Sequence, residues 1–134
     1  MTSPSVPLRI AFWNTWLLRP RLWAGGPAIP GGDRLFAPAV PARAPLVADA
    51  IRGRFDVCAM SEVFDPVEQD AVSARLPGYR SVAGPGQQGL RRTGSGLLTV
   101  VDESVADVTA SVSCAYRTGG DLRDSDTYAT KGAL

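Results

Sequence analysis

The alternation of apolar and polar stretches along the chain predicts a mixed α/β fold. Two short apolar runs, residues 8–13 (LRIAFW) and 55–60 (FDVCAM), have the length and composition of strands that are buried on both faces. Between them, residues 44–54 predict a helix, because they carry apolar side chains at helical spacing: Leu46, Val47, Ala50 and Ile51.

The second half of the chain continues this alternation. A helix is predicted from Asp65 to about Leu76, since Asp65 can cap it, Pro66 suits its first position and Glu68 completes a capping-box pattern. Further strands are predicted at residues 79–83, 96–101 and 105–112, and residues 128–134 have the pattern of one more strand opening. The order β-loop-α-β-α-β-β-β, followed by this last strand, predicts a layered α/β architecture.

A long stretch rich in proline and glycine, about residues 18–42, separates the first strand from the first helix. Loops of this length are uncommon unless they are functional or disordered, so we expect a surface loop beside a site. Tryptophan favours membrane interfaces. The apolar side chains just before this stretch and at its start therefore either contact lipid or pack on the domain itself; they are Trp16, Leu17, Leu18, Leu22 and Trp23.

Composition narrows the classes of function. The chain has 134 residues, of which 45% are hydrophobic and 20% charged, as expected for one globular domain. A net charge of +1 gives the chain no overall positive potential that would attract nucleic acid. There is no histidine, so the commonest general base and metal ligand is missing from the sequence. No apolar run is long enough to span a membrane, and no signal peptide is visible. The expected location is cytoplasmic by default, although a secreted protein with its leader removed would have the same pattern.

Two polar residues come directly after the apolar strands: Asn14 after the first and Glu62 after the second. If the strands are neighbours and parallel, both side chains reach the same end of the sheet, where ligand sites of α/β proteins gather. A carboxylate there suits Mg²⁺, which takes oxygen ligands and keeps several waters, and an amide beside it can hold a phosphate oxygen or a water. The alternative is that both are solvated residues at strand exits.

The residues around these two positions resemble a known family. Residues 9–16 (RIAFWNTW) resemble the first strand of the endonuclease/exonuclease/phosphatase superfamily, which ends in an asparagine, and residues 55–65 (FDVCAMSEVFD) resemble its second strand, whose glutamate is the main metal ligand. The resemblance implies a Mg²⁺-dependent phosphodiester hydrolase on a two-sheet α/β sandwich, the four-layer fold of deoxyribonucleases. Glu62 and Asn14 would then be metal ligands, and Asn14 would also position the phosphate or the attacking water.

Two further segments are similar to the sphingomyelinase-like branch. Val63, Phe64 and Asp65 follow the glutamate where nucleases of the abasic-site type usually carry a lysine, and residues 126–132 (DTYATKG) resemble an Asp-x-x-x-x-Lys-Gly segment whose Asp and Lys lie beside the active site. This implies catalytic roles for Asp126 and Lys131, the latter being the sole lysine of the chain. The implied substrate is a phosphodiester, with a phospholipid at a membrane surface as one candidate; nucleic acid is the less favoured partner. A solvated strand residue is the alternative for Lys131.

The same family supplies further essential groups from later strands, among them an Asp-x-Asn pair and two histidines. We therefore expect residues 1–134 to be a partial, truncated domain, the N-terminal half of the sandwich, with an incomplete catalytic site. Two alternatives remain: a non-catalytic fragment, or a nuclease of the same superfamily whose arginines contact phosphates. The arginines that would serve a nuclease are Arg19, Arg21, Arg91 and Arg92.

Overall fold

The computed structural model describes residues 7–89, 91–116, 129–130 and 132–134. The chain is a mixed α/β protein, as the order of apolar segments predicts. Its elements in chain order are β1 (Ile10–Leu17), α1 (Gly32–Leu35), α2 (Val40–Ile51), β2 (Val57–Val63), α3 (Pro66–Ser73), β3 (Tyr79–Ala83), β4 (Leu98–Asp102), β5 (Cys114–Ala115) and β6 (Gly132–Ala133).

Four strands form one mixed sheet in the order β1-β2-β4-β3, and β5 pairs with β6 in a separate antiparallel sheet. Strands β1 and β2 are parallel, in a register that runs from Ile10 opposite Val57 to Asn14 opposite Ser61. The pairs β2–β4 and β3–β4 are antiparallel. Parallel neighbours need a long crossover, which the segment containing α2 supplies. The carboxyl ends of β1 and β2 therefore lie side by side.

Helices α2 and α3 cover one face of the four-stranded sheet. Alternate residues of a strand point to the same face, so Cys58 and Met60 of β2 share the inner face with Val100 and Leu98 of β4. They form one buried core with apolar residues of β1 and the helices, including Leu17, Val40, Ala44, Val47, Ala48, Ile51 and Val72. This core is what holds the ends of β1 and β2 in place.

The prediction that the first strand is buried on both faces is wrong. Ile10 and Phe12, on the outer face of β1, are 67% and 73% exposed. Residues 108–112 cross the outer face over β3 and β4 and line an open pocket of about 290 Å³ there. Within the described residues, the apolar outer face of β1 stays open to solvent. Its composition is that of a strand with two covered faces, so tertiary context overrides the local pattern here.

Element boundaries differ from the sequence prediction in several places. Strands β1 and β2 run beyond their predicted ends, so Asn14 and Glu62 lie in the C-terminal halves of these strands rather than after them. Residues 105–112 form no strand, because the turn after β4, in which Asp102 accepts hydrogen bonds from Ser104, leads the chain away from the ladder. Helix α2 begins at Val40 rather than at residue 44, with Pro41 in the first turn, where a missing N–H costs nothing. The predicted loop over residues 18–42 therefore contains α1 and the start of α2.

Asp65 caps α3 as predicted, its side chain accepting from the Val67 N–H at 3.0 Å. Pro66 occupies the first helical position, and the helix ends at Ser73, earlier than the predicted Leu76. Glu68 does not complete a capping box. Its carboxylate accepts a hydrogen bond from Arg21 instead, at 2.7 Å, because a buried guanidinium is a stronger partner than a backbone amide.

Candidate functional site

The carboxyl ends of β1 and β2 bring the two predicted site residues together. Nδ2 of Asn14 donates a hydrogen bond to Oε1 of Glu62 at 2.7 Å. Asn14 is exposed and Glu62 is half-buried, so a ligand can approach both side chains from solvent. The parallel pairing on which the sequence argument depended is the arrangement that the structure has.

An ideal pleat would have kept these two side chains apart. Asn14 lies opposite Ser61, so in a regular strand Glu62 would point to the other face, in the row of Met60. Glu62 instead has a φ of 63°, in the left-handed region. The kink puts the next residue, Val63, into the core and turns Glu62 towards Asn14. Sequence reasoning missed this, because no residue type near Glu62 signals a left-handed backbone.

Trp16 is a second non-glycine residue with left-handed backbone at this edge, with a φ of 48°. The register of β1 against β2 shifts between Asn14 and Leu17, around that residue. Such conformations cost about 1–2 kcal/mol per residue for side chains with a Cβ. Strain of this kind gathers at functional sites, where the surrounding structure holds it. Two strained residues at adjacent strand ends are therefore evidence for a site that is independent of any family resemblance.

The Asn14 amide joins the two strained residues. Its Oδ1 accepts from the Trp16 backbone N–H at 3.1 Å, while its Nδ2 donates to Glu62. Turning the amide over would set its NH₂ against an N–H and its oxygen against a carboxylate, so the two neighbours determine its orientation. Asn14 thus orders both the Glu62 carboxylate and the Trp16 turn.

Residues from elsewhere in the chain support this edge. The buried Thr15 hydroxyl donates to the Ser61 carbonyl at 2.9 Å, tying the two strand ends together. The Arg43 guanidinium donates to the Thr15 carbonyl at 2.8 Å and the Trp16 carbonyl at 3.2 Å, and lies 5.7 Å from the centroid of the Trp16 ring. Arg43 belongs to α2, and the local sequence carries no signal of its contact with β1.

The oxygen atoms of Glu62 and Asn14 at this edge could supply part of the coordination shell of a hard cation such as Mg²⁺. Oε1 of Glu62 faces the amide, and the described residues donate no hydrogen bond to Oε2. Oδ1 of Asn14 accepts one N–H bond, and a carbonyl oxygen has two lone pairs. Mg²⁺ is commonly bound through one or two carboxylates together with waters and substrate phosphates. Among the described residues there is no group of three or more acidic, cysteine or histidine side chains that could hold a metal, so the set stays partial.

Asp126 and Lys131, the other two predicted catalytic residues, lie outside the described residues. The described neighbours Ala129 and Thr130 are docked on Thr93: Ala129 bridges it, and the Thr130 N–H donates to its carbonyl at 3.1 Å. The Thr93 hydroxyl donates in turn to the Phe64 carbonyl at 2.7 Å. Residues 129–130 are therefore attached next to the segment that leaves β2.

A buried ionic cluster lies beyond this edge, at the start of α3. Nη2 of Arg21 donates to Oε1 of Glu68 at 2.7 Å, and its Nε lies 3.1 Å from Oδ1 of Asp65. All three side chains are less than 10% exposed. Burial raises the pKa of the Glu68 carboxyl, and the hydrogen bond from Arg21 opposes that rise. One carboxylate oxygen, Oε2 of Glu68, is buried without a hydrogen-bond partner. Sequence reasoning missed this cluster.

The cluster bears on the arginines considered for a nuclease. Arg21 is buried and committed to two carboxylates, so it cannot contact a phosphate. Arg19 lies 3.2 Å from Asp33 in an ion pair. Arg92 is exposed and donates to the Leu22 carbonyl at 3.2 Å. Arg91 is half-buried. With Arg21 buried and Arg19 paired, the four arginines do not together form one free basic surface for a nucleic-acid backbone.

Comparison of the chain with family models, with curated proteins and with solved structures finds no match. Among the residues that the structure describes, no helix is both long enough and apolar enough to cross a membrane.

Proposed function

We propose that this chain carries the metal-binding edge of a Mg²⁺-dependent phosphodiester hydrolase of the endonuclease/exonuclease/phosphatase type, nearest to its sphingomyelinase-like branch. The observation that carries the proposal is the hydrogen bond between Asn14 and Glu62 at the carboxyl ends of two parallel strands. The left-handed backbone at Glu62, which turns its carboxylate towards Asn14, supports the same conclusion.

The architecture is compatible with one half of a two-sheet sandwich. Helices cover one face of the four-stranded sheet, while Ile10 and Phe12 leave the β1 part of the opposite face apolar and exposed within the described residues. Sheets that pack face to face interdigitate apolar side chains of this kind. We propose that this outer face belongs against a second sheet, whose strands would supply the groups that the resemblance implies and this sequence lacks.

Each residue of the pair has a distinct task in the proposed chemistry. Glu62 would hold the cation through its carboxylate, and Asn14 would orient that carboxylate and offer its amide oxygen to the cation or to a water. The cation, when bound, would offset the charge that develops on the phosphate in the transition state. Glu62 can attract a cation because, among the described residues, it forms no ion pair.

A general base has to come from another group. The sequence contains no histidine, so the proton of the attacking water would pass to a carboxylate or to a residue outside this chain. A positioned general base contributes about 100- to 10,000-fold to the rate. We therefore expect the chain alone to bind a divalent cation but to hydrolyse a phosphodiester only slowly. Asp126 and Lys131 remain candidate groups beside the phosphate.

Titration calorimetry with Mg²⁺ and with Mn²⁺ on the full chain tests the proposal. Glu62→Gln keeps the shape of the side chain and removes its charge, so we expect cation affinity to be lost or to fall more than tenfold. Asn14→Ala removes the group that orients the carboxylate, and the loss of such a partner lowers metal affinity about 10- to 100-fold.

Glu103→Gln is the matched control, since Glu103 is an exposed glutamate on the turn after β4. It should bind both cations as the wild type does. If Glu62→Gln binds them with unchanged affinity while remaining folded, the proposal is wrong.

A further inference from the structure

The segment that follows β1 forms an irregular hairpin, residues 20–29. Arg21 bridges Ala28 in antiparallel fashion, and the Leu22 N–H donates to the Pro27 carbonyl at 3.1 Å. The Gly26 N–H closes the turn on the Trp23 carbonyl at 2.9 Å. The predicted loop is thus an ordered structure with a defined tip.

Glycines make this tip possible. Gly25 has a φ of 71°, the left-handed conformation that the third position of a type II turn requires. The Trp23 indole lies so close to Gly26 that a Cβ there would be 2.6 Å from the ring. The tip therefore presents its tryptophan in one packed arrangement.

The tip is apolar and exposed. Leu22 is 48% and Trp23 58% exposed, and Ile29 at the base is 38% exposed. Residues 22–32 hold no charged side chain. Exposed apolar side chains grouped in this way mark interaction surfaces more often than isolated ones do.

The hairpin is fastened firmly to the domain beneath it. Arg21 donates to the Gly26 carbonyl at 2.8 Å and to Glu68 at 2.7 Å, and the Gly25 N–H donates to Oδ2 of Asp65 at 3.0 Å. All of its charged contacts are thus directed inwards. The apolar side chains of Leu22 and Trp23, by contrast, are exposed to solvent.

The charges around the hairpin indicate what it meets. The acidic groups nearest to it are neutralised: Asp65 and Glu68 are buried against Arg21, and Asp33 is paired with Arg19. Arg92 is exposed beside the tip, and within the described residues it forms no ion pair. An apolar tip bordered by an unbalanced cation complements a layer of lipid phosphates above hydrocarbon. Tryptophan is the side chain most enriched at that interface.

We propose that the hairpin formed by residues 20–29 docks the protein on a phospholipid bilayer. Leu22 and Trp23 enter the interface, Ile29 contacts it from the base of the hairpin, and Arg92 meets lipid phosphates. Residues 18–19 connect the hairpin directly to β1 and hence to the Asn14–Glu62 edge. The hairpin would thus be the surface at which the proposed phosphodiesterase meets its substrate. This link between docking and catalysis rests on the proposed function.

Sedimentation with sucrose-loaded vesicles tests the docking without requiring turnover. The full chain should bind phosphatidylcholine vesicles, and about fivefold more strongly when phosphatidylserine is included, because one exposed arginine near an anionic surface contributes about that much. Trp23→Ala should weaken binding about tenfold, as expected for the loss of one large apolar side chain from the interface. Ile29→Ala, which leaves the packing of Trp23 on Gly26 intact, should weaken binding several-fold.

Leu46→Ala is the matched control, because Leu46 is 63% exposed but lies on α2. It should bind vesicles as the wild type does. Unchanged binding in folded Trp23→Ala and Ile29→Ala, or no binding by the folded wild type, would overturn the proposal. A wild-type dimer that Trp23→Ala converts to monomer, without vesicle binding, would also overturn it in favour of a second copy of the chain.

Repeating the sedimentation with a chelator and with Glu62→Gln separates the two proposals. Vesicle binding should persist in both conditions, since the hairpin does not contain the cation site. If the wild-type chain binds vesicles but no cation, only the proposed function is rejected. If it binds cations but no vesicles, only the docking is rejected.

Discussion

Two glutamates on either side of the junction between β2 and α3 have opposite surroundings. Glu62 is half-buried, faces a neutral amide and forms no ion pair with the described residues, whereas the Glu68 side chain is 3% exposed and lies against the Arg21 guanidinium. Glu68 forms an ion pair with Arg21, whereas Glu62 has no cationic side chain beside it among the described residues. Glu68 therefore has a structural role, and Glu62 is the carboxylate that is available to a ligand.

The two regions also differ in where strain is placed. At the Glu62 edge the backbone of Glu62 and Trp16 is left-handed, while the side chains of Asn14 and Glu62 are hydrogen-bonded to each other. At the Glu68 cluster the helix is regular and capped, but Oε2 of Glu68 and Nε of Arg21 lack hydrogen bonds. The first arrangement holds a carboxylate towards solvent. The second fastens a loop to a helix.

The largest effect should come from removing the shared cation of the buried cluster. Arg21→Met leaves Asp65 and Glu68 buried without a counter-charge, and breaking a buried pair in this way costs about 3–5 kcal/mol. Urea unfolding monitored by circular dichroism measures the loss. Arg75→Met is the control, because Arg75 pairs with Asp49 on the surface and such pairs contribute about 0–1 kcal/mol. Equal losses in the two variants would contradict a structural role for the cluster.

An intermediate effect should appear as a dependence on pH. Burial raises the pKa of Glu68 above its ordinary value of 4.5, so the folded protein binds this proton more tightly than the unfolded chain. The contribution of Glu68 to the unfolding free energy is fully present below that ordinary value and is lost as pH rises through the raised pKa. The difference between wild type and Glu68→Gln should therefore shrink with rising pH, in urea unfolding across this window.

Asp56 supplies a control with the opposite sign. Hydrogen bonds from Arg9 lower the pKa of Asp56 below its ordinary value of 3.8. Its contribution is present above that value and is lost as pH falls through the lowered pKa. The difference between wild type and Asp56→Asn should thus grow with rising pH. If the differences for Glu68→Gln and Asp56→Asn changed in the same direction with pH, burial of Glu68 would not be the cause of its pH dependence.

The smallest effect on stability should come from the residue with the proposed function. Glu62→Gln keeps a side chain of the same length at a half-buried position without an ion pair, so the unfolding free energy should change by less than about 0.5 kcal/mol. The same urea unfolding measures it. If Glu62→Gln lowered the unfolding free energy as much as Arg21→Met does, Glu62 would be a structural residue, as Glu68 is.

Much of the element order follows from local signals in the amino-acid sequence. Strand β3 has the predicted bounds, and Asp65 with Pro66 begins α3 as predicted. These features depend on local signals: a side chain that caps its own helix, a proline whose φ suits the first turn, a short run of apolar residues. Asn14 and Glu62 could be singled out for the same reason, since each follows an apolar run.

The contacts that build the candidate site depend instead on how distant segments pack together. Asn14 meets Glu62 across 48 positions of sequence, and Arg21 meets Glu68 across 47. The left-handed turn at Glu62 and the open face of β1 likewise have no local signature. Such contacts form because packing places distant segments side by side, and a side chain finds its partner only after the core has determined where each strand ends.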